Sequence, residues 1–175
     1  MKTKKEQAEP VLLVGDLTRD CLERARCEIA SSFSLGRAVI LVVKSDGGAI
    51  DASVDFINWL VDEKTKRRLE VSAKIYTASS AAAAIALATD SRRISQYGRF
   101  GLHVGSMLIE STDINRDGVI AERYAALLRK SKERLFNLLR ATKISKDKIG
   151  TLDAKGRLVL TPVECLKYGI CSEIF

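Results

Sequence analysis

The sequence predicts an α/β domain built on a largely parallel sheet. Short apolar runs rich in β-branched residues, such as 38–43, alternate along the chain with segments of helical periodicity, such as 18–33. Strands that alternate with helices in this way form parallel neighbours joined by crossovers. The 175 residues, 46% hydrophobic and 29% charged, suit one globular domain. We expect that domain to span 10–175, after a flexible polar tail at 1–9.

The first half of the chain is expected to supply three strands and three helices. The predicted strands are 11–14, 38–43 and 71–76, and the predicted helices are 18–33, 49–62 and 80–89. Apolar residues recur at helical spacing between Leu22 and Phe33, and Thr18 is placed to cap that helix. The run 38–43 is apolar throughout, as expected of a strand buried on both faces.

The second half is predicted to contain a long helix and several short elements. Two short strands, 93–95 and 99–104, are expected around a turn at Gly98, followed by a helix at 117–141. A small helix at 145–150, a strand at 157–160 and a helix at 162–168 complete the chain. The long helix carries an apolar stripe that includes Leu128, Leu135 and Leu139.

Several classes of protein are disfavoured by composition. No apolar run approaches the roughly 18 residues that span a bilayer, and the N-terminus lacks the apolar core of a signal peptide, so we expect a cytoplasmic protein without membrane partners. The four cysteines have no CxxC spacing and do not cluster with the single histidine. We therefore expect reduced, packed thiols, with no metal and no cofactor.

The net charge of +7 is concentrated between Arg123 and Lys148, which hold nine basic residues against Glu133 and Asp147. Such a patch is compatible with nucleic acid. The other interpretation is the solvated face of a long helix, and we favour it because only Tyr124 and Phe136 could stack on bases.

Ser80 and His103 are the candidate catalytic pair. Ser80 opens an alanine-rich segment after a predicted strand, and His103, the only histidine, follows 23 positions later at the end of another. A serine hydroxyl needs a neighbouring base to become a nucleophile, and imidazole titrates in the right range to serve.

Two strand-to-helix junctions would gather the site at one end of the sheet. The first is the Gly47-Gly48 turn, whose free amides could bind an oxyanion, and the second holds Ser79 and Ser80. Each feature has an ordinary alternative: a plain turn for the glycines, a helix cap for either serine, and a hydrogen-bonded core residue for His103. Their combination favours the catalytic interpretation.

The residues resemble the proteolytic subunit of the Clp protease and the related phage head-maturation proteases, within the Clp/crotonase fold. The resemblance extends from Val11 to Phe175, and its motifs are 11–15, 40–48, 78–83, 102–103, 160–162 and 168–170. The run Ile40 to Gly48 resembles the family's hydrophobic strand ending in a Ser-Pro-Gly-Gly motif. The pair Leu102-His103 resembles the strand end that carries the family's base.

The resemblance implies stacked parallel β-α units with a long protruding helix after the catalytic histidine. It implies Ser80 as nucleophile, His103 as general base, and the backbone amides of Gly48 and Ala81 as the oxyanion hole, with Ser79 as a second choice of nucleophile. The loop 104–109 would lie beside an extended substrate strand. The implied partners are a peptide or unfolded protein substrate, further copies in a homo-oligomeric ring and, for a true Clp subunit, an ATP-dependent unfoldase.

Three departures from the family pattern bear on activity. Asp46 stands where the family has proline, and Ala82 stands where it has glycine. The family's acidic third member falls here at Gly156-Arg157, which leaves Asp153 as the nearest candidate. Loss of that acid costs about 10⁴ in turnover in serine proteases.

Four functions therefore stay open. The first is a serine-type endopeptidase, and the second is a weak or inactive Clp-like ring subunit or scaffold. The third is a crotonase-type acyl-CoA enzyme, which would leave the Ser80–His103 pair without a role. The fourth, a nucleic-acid-binding domain, depends only on the charge at 123–148.

Overall fold

A six-stranded sheet forms the centre of the protein, in a computed structural model that describes residues 8–103 and 118–175. Its strands are β1 (Glu9–Leu17), β2 (Val39–Gly48), β3 (Val71–Ser79), β4 (Ser91–His103), β5 (Arg157–Leu160) and β6 (Glu173–Ile174). The first four are parallel and adjacent in chain order, β5 runs antiparallel to β4, and β6 pairs in parallel with β4. The predicted α/β class and largely parallel sheet are confirmed.

Six helices are seen in the described ranges. They are α1 (Arg19–Ser34), α2 (Ile50–Arg67), α3 (Ala81–Leu87), α4 (Gly118–Arg140), α5 (Lys146–Lys155) and α6 (Pro162–Lys167). Each matches a predicted helix, although α2 and α5 run five residues further than expected. Thr18 caps α1 as predicted, because its hydroxyl accepts a hydrogen bond from the Cys21 amide at 3.2 Å. Glu9, expected in the N-terminal tail, already begins β1.

The core is formed by alternate residues of the strands. Leu13, Val43, Ile75 and Ile94 lie in one row across four strands, and each is fully buried. These residues belong to one buried cluster together with helix residues such as Phe56 of α2. Burial of this row fixes the register of the strand ends that carry the polar residues.

The prediction of two short strands at 93–95 and 99–104 is wrong. Residues 91–103 form one strand with a bulge, in which 95–98 lie opposite Tyr76 alone. Gly98 permits this close approach, since a Cβ there would lie 2.7 Å from the Ile94 side chain and 3.2 Å from the Tyr76 carbonyl oxygen. A glycine that reads as a turn in sequence can equally mark a bulge.

Among the described residues, no helix combines the length and the apolar character needed to cross a bilayer.

Candidate active site

Ser80 lies on a sharp turn between β3 and α3, in a backbone conformation that serine rarely adopts. Its φ is 55° and its ψ is −125°, and it is one of two non-glycine residues with positive φ in the described part of the chain. Such a conformation costs about 1–3 kcal/mol and persists only where the surrounding structure enforces it. A strained strand-to-helix turn is also the device that exposes the nucleophilic serine of many hydrolases.

The hydroxyl of Ser80 does not cap the helix that follows it. No side-chain capping hydrogen bond joins Ser80 to α3, whereas its backbone N–H donates to the Gly101 carbonyl oxygen at 2.9 Å. The turn is therefore held by the backbone, and the side chain is left for another role. This removes the most ordinary alternative for Ser80.

His103 is the last described residue of β4 and lies between two cavities. The first, which we call the inner cavity, has a volume of about 40 Å³ and is lined by both Ser80 and His103. The second, the outer groove, is an open depression of about 570 Å³ lined by His103 and Ser79. The sheet thus brings the predicted pair Ser80 and His103 to one cavity, and it places Ser79 on the other side of the histidine.

The glycine turn packs directly against the serine turn. Ser45 is buried, and its hydroxyl accepts a hydrogen bond from the Gly47 amide at 3.0 Å, which holds the end of β2. Gly47 has a φ of +114°, and a Cβ there would lie 2.7 Å from the Ser80 Cβ. Both the backbone conformation and the lack of space require glycine at this position.

Of the two predicted oxyanion-hole residues, Ala81 lies at this same contact, and Gly48 follows Gly47 in the chain. The Ala81 nitrogen is 3.2 Å from the position that a Cβ on Gly47 would occupy. The Gly47 amide already donates a hydrogen bond to the Ser45 hydroxyl. The next amide along the turn that could bind an oxyanion is therefore that of Gly48. Gly48 itself lies against Leu17, since a Cβ there would be 2.4 Å from the Leu17 carbonyl oxygen.

Asp46, the carboxylate where the resembled family has proline, has a cationic partner. Its Oδ1 lies 2.8 Å from the Arg99 guanidinium, which projects from β4 across the end of β3. Both side chains are more than half exposed. The negative charge beside Gly47 is therefore offset locally, although an exposed pair of this kind contributes at most about 1 kcal/mol to stability.

Asp153, the predicted third catalytic residue, is not brought to either cavity. It lies near the end of α5, where its carboxylate pairs with Lys132 of α4 at 2.6 Å. The strand residue opposite His103 is instead Arg157, on β5. No carboxylate is found among the described residues that line either cavity. The predicted substrate loop 104–109 lies outside the described ranges.

Three polar residues of the inner cavity were not predicted from sequence. They are Ser53 of α2, and Ser131 and Arg134 of α4. The only signal for Ser53 is that it falls on the apolar face of its helix, three residues before Phe56. Arg134 belongs to a run of basic residues, where nothing in the pattern distinguishes it from its solvated neighbours.

The cysteines offer no alternative nucleophile at this site. All four thiols are free, and Cys165 and Cys171 are buried. Burial raises the pKa of the Cys165 thiol to about 12, so it stays protonated at neutral pH. Within the described residues, no group of three or more His, Cys, Asp or Glu side chains is placed to hold a metal ion.

No protein-family model matches this chain, and no curated protein matches it.

Proposed function

We propose that the protein is a Clp-like serine-type endopeptidase in which Ser80 is the nucleophile and His103 the general base. One observation carries the proposal: Ser80 has the backbone conformation of a nucleophile turn and lines a common cavity with His103. A strained turn whose hydroxyl makes no cap has no evident structural purpose.

The reaction would follow acyl transfer through two steps. The Ser80 oxygen attacks the carbonyl carbon of a peptide bond while its proton passes to the His103 imidazole. The C–N bond then breaks, the imidazolium gives that proton to the leaving amine, and an ester remains on Ser80. Water then adds to the ester carbonyl carbon while one of its protons passes to His103. The bond between that carbon and the Ser80 oxygen breaks, the imidazolium returns its proton to the Ser80 oxygen, and the carboxylic acid leaves.

The backbone amides of Gly48 and Ala81 are proposed to stabilise the oxyanion in both steps. Their two turns are in contact through Gly47 and Ser80. Amides of this kind act in a confined site, where removing one donor costs about 10²–10³ in turnover. The Arg99 partner keeps the Asp46 charge from opposing that stabilisation.

We further propose that the chain has the Clp/crotonase arrangement and assembles into a homo-oligomeric ring. The long α4 helix after His103 agrees with that arrangement. Leu12 and Val14 of β1 support assembly, because they are 62% and 52% exposed and lie on one face of a strand that ends the described sheet order. The proposed setting is the cytoplasm, with a peptide or unfolded protein as substrate and, for a true Clp subunit, an ATP-dependent unfoldase as partner.

A second candidate, a catalytically silent ring subunit or scaffold, is favoured by one observation. The position opposite His103 on β5 holds Arg157, a cation, where the resembled family places its acid nearby. A positive charge beside the imidazole opposes the imidazolium that forms during acylation.

A fluorophosphonate probe separates the two candidates. Such a probe reacts only with an activated serine, so we expect labelling that Ser80→Ala and His103→Gln each abolish. Ser79→Ala, one residue away and on the outer groove, is the matched control and should retain labelling. Absence of labelling in folded, assembled protein would favour the scaffold, and a strict monomer by sedimentation would contradict the ring.

A further inference from the structure

The inner cavity is lined by both apolar and polar side chains. Its apolar lining includes Ile50, Val54 and Ile57 of α2 and Leu135 of α4, and its polar lining includes Ser53, Ser131 and Arg134. Because Ser80 lines this cavity, an acyl group carried on the Ser80 oxygen has its own side chain within reach of it. The cavity is therefore the place where the residue before the scissile bond would insert.

Two polar atoms of the cavity's lining residues are buried without a hydrogen-bond partner. They are Ser53 Oγ and Arg134 Nε, and Ser53 is only 3% exposed. Among the described residues, Arg134 forms no ion pair either. A buried polar atom left unpaired is costly, and the cost is larger when the atom belongs to a charged group such as the half-buried Arg134 side chain. Unpaired polar atoms on residues that line a cavity indicate that a ligand supplies the missing hydrogen-bond partners.

We propose that this cavity binds an acidic side chain, so that the enzyme cleaves after aspartate or glutamate. The proposal depends on the proposed function. Arg134 would donate charge-assisted hydrogen bonds to the carboxylate, with the Ser53 hydroxyl as an additional donor. Arginine suits this role because its planar donors match a carboxylate.

The size of the cavity and the surrounding charge agree with an acidic side chain. A volume of about 40 Å³ holds about three water-sized groups, which is close to the four heavy atoms of an aspartate side chain. A bulky apolar side chain would fill the same space and leave Arg134 and Ser53 unpaired. Lys155 and Arg157 on the outer groove extend the positive potential to the other side of His103.

Peptide substrates that differ only in the residue before the scissile bond test the inference. We expect kcat/KM for aspartate to exceed that for asparagine by at least tenfold, the size of one charged hydrogen bond. Arg134→Leu should abolish this ratio and favour leucine. Arg129→Leu, an exposed arginine one and a half turns earlier on α4 that lines a different depression, should leave it unchanged.

A binding measurement keeps this inference distinct from the proposed function. In Ser80→Ala, which cannot form an acyl-enzyme, a product peptide ending in aspartate should bind at least tenfold more tightly than one ending in asparagine. That preference should disappear on adding Arg134→Leu. Preferred binding without fluorophosphonate labelling of the unmodified protein would support the acidic pocket and overturn the hydrolase. Labelling of Ser80 together with equal treatment of aspartate and asparagine, or a preference for leucine, would overturn the acidic pocket alone.

Discussion

Gly47 packs against Ser80 so closely that a methyl group at Gly47 would lie 2.7 Å from the serine Cβ. This contact joins the end of β2 to the turn after β3, and it brings the chain of the glycine turn against Ser80 and the Ala81 nitrogen. Gly47→Ala should therefore displace Ser80 and strain its own φ of +114°. We expect at least a tenfold loss in fluorophosphonate labelling rate and a loss of more than about 1 kcal/mol in the free energy of unfolding.

Gly150→Ala is the matched control for that change. Gly150 lies inside α5 with nothing within 4 Å of an added Cβ, so alanine should raise the unfolding free energy by roughly 0.5–1 kcal/mol and leave labelling unchanged. Equal behaviour of the two variants would mean that the Gly47 contact does not shape the site.

Ser80→Gly should separate catalysis from stability. Glycine adopts a φ of 55° and a ψ of −125° without steric cost, whereas Ser80→Ala retains the strain. Both variants should lose labelling. The free energy of unfolding of the glycine variant should exceed that of the alanine variant by roughly 1 kcal/mol, measured by denaturant unfolding. A glycine variant less stable than the alanine variant would show that the turn is not strained.

The Asp46–Arg99 pair should affect rate more than stability. Arg99→Gln exposes the site to an unpaired carboxylate, so we expect labelling to slow by about three- to tenfold, with less than about 1 kcal/mol change in unfolding free energy. Adding Asp46→Asn to Arg99→Gln should restore the rate. If the double variant is as slow as Arg99→Gln alone, charge beside Gly47 is not the cause.

Asp153 should be dispensable for labelling. Its carboxylate pairs with Lys132 and lines neither cavity of His103, so Asp153→Asn should change the labelling rate by less than about threefold, compared with about 10⁴ for a true triad acid. Asp147→Asn, on the same helix, is the control. A loss of a hundredfold or more specific to Asp153 would restore it as the third catalytic residue.

The capping box of α6 should contribute to stability in a pH-dependent way. The Thr161 amide, then the Thr161 hydroxyl, holds the pKa of Glu164 below its usual value. A carboxyl whose folded pKa is lowered stabilises the fold above its unfolded pKa, and that contribution is lost as pH falls through the folded pKa. Glu164→Gln should lower the free energy of unfolding by roughly 0.5 kcal/mol at pH 7. Below about pH 4.5, the free energy of unfolding should fall less steeply with pH in Glu164→Gln than in Glu28→Gln, which changes an exposed glutamate and serves as the control.

The sequence was sufficient for the helices and for the first three strands, but not for the single long β4 or for β6. Periodicity located the helices because each buries one face, and the apolar run at β2 located a strand buried on both sides. Ser80 and His103 stood out as residue types that do chemistry, at strand ends that a parallel sheet brings together.

Features that depend on tertiary approach were not accessible from the sequence. The bulge in β4 arises because Gly98 approaches Tyr76 on the neighbouring strand, and local pattern cannot distinguish that from a turn. The inner cavity joins Ser53 and Arg134 from helices far apart in the chain, so neither could be assigned to it in advance. The register that places Arg157 opposite His103 is likewise set by pairing of β4 with β5.

The central claim is that Ser80 forms the covalent bond to substrate, with His103 as its base. The most direct measurement is to locate the phosphonyl group by mass spectrometry after digestion of fluorophosphonate-treated protein, for the unmodified chain and for His103→Gln. We expect one adduct, on Ser80, that disappears in His103→Gln. An adduct on Ser79 or on any other residue, or labelling of Ser80 that persists without the imidazole, would contradict the account.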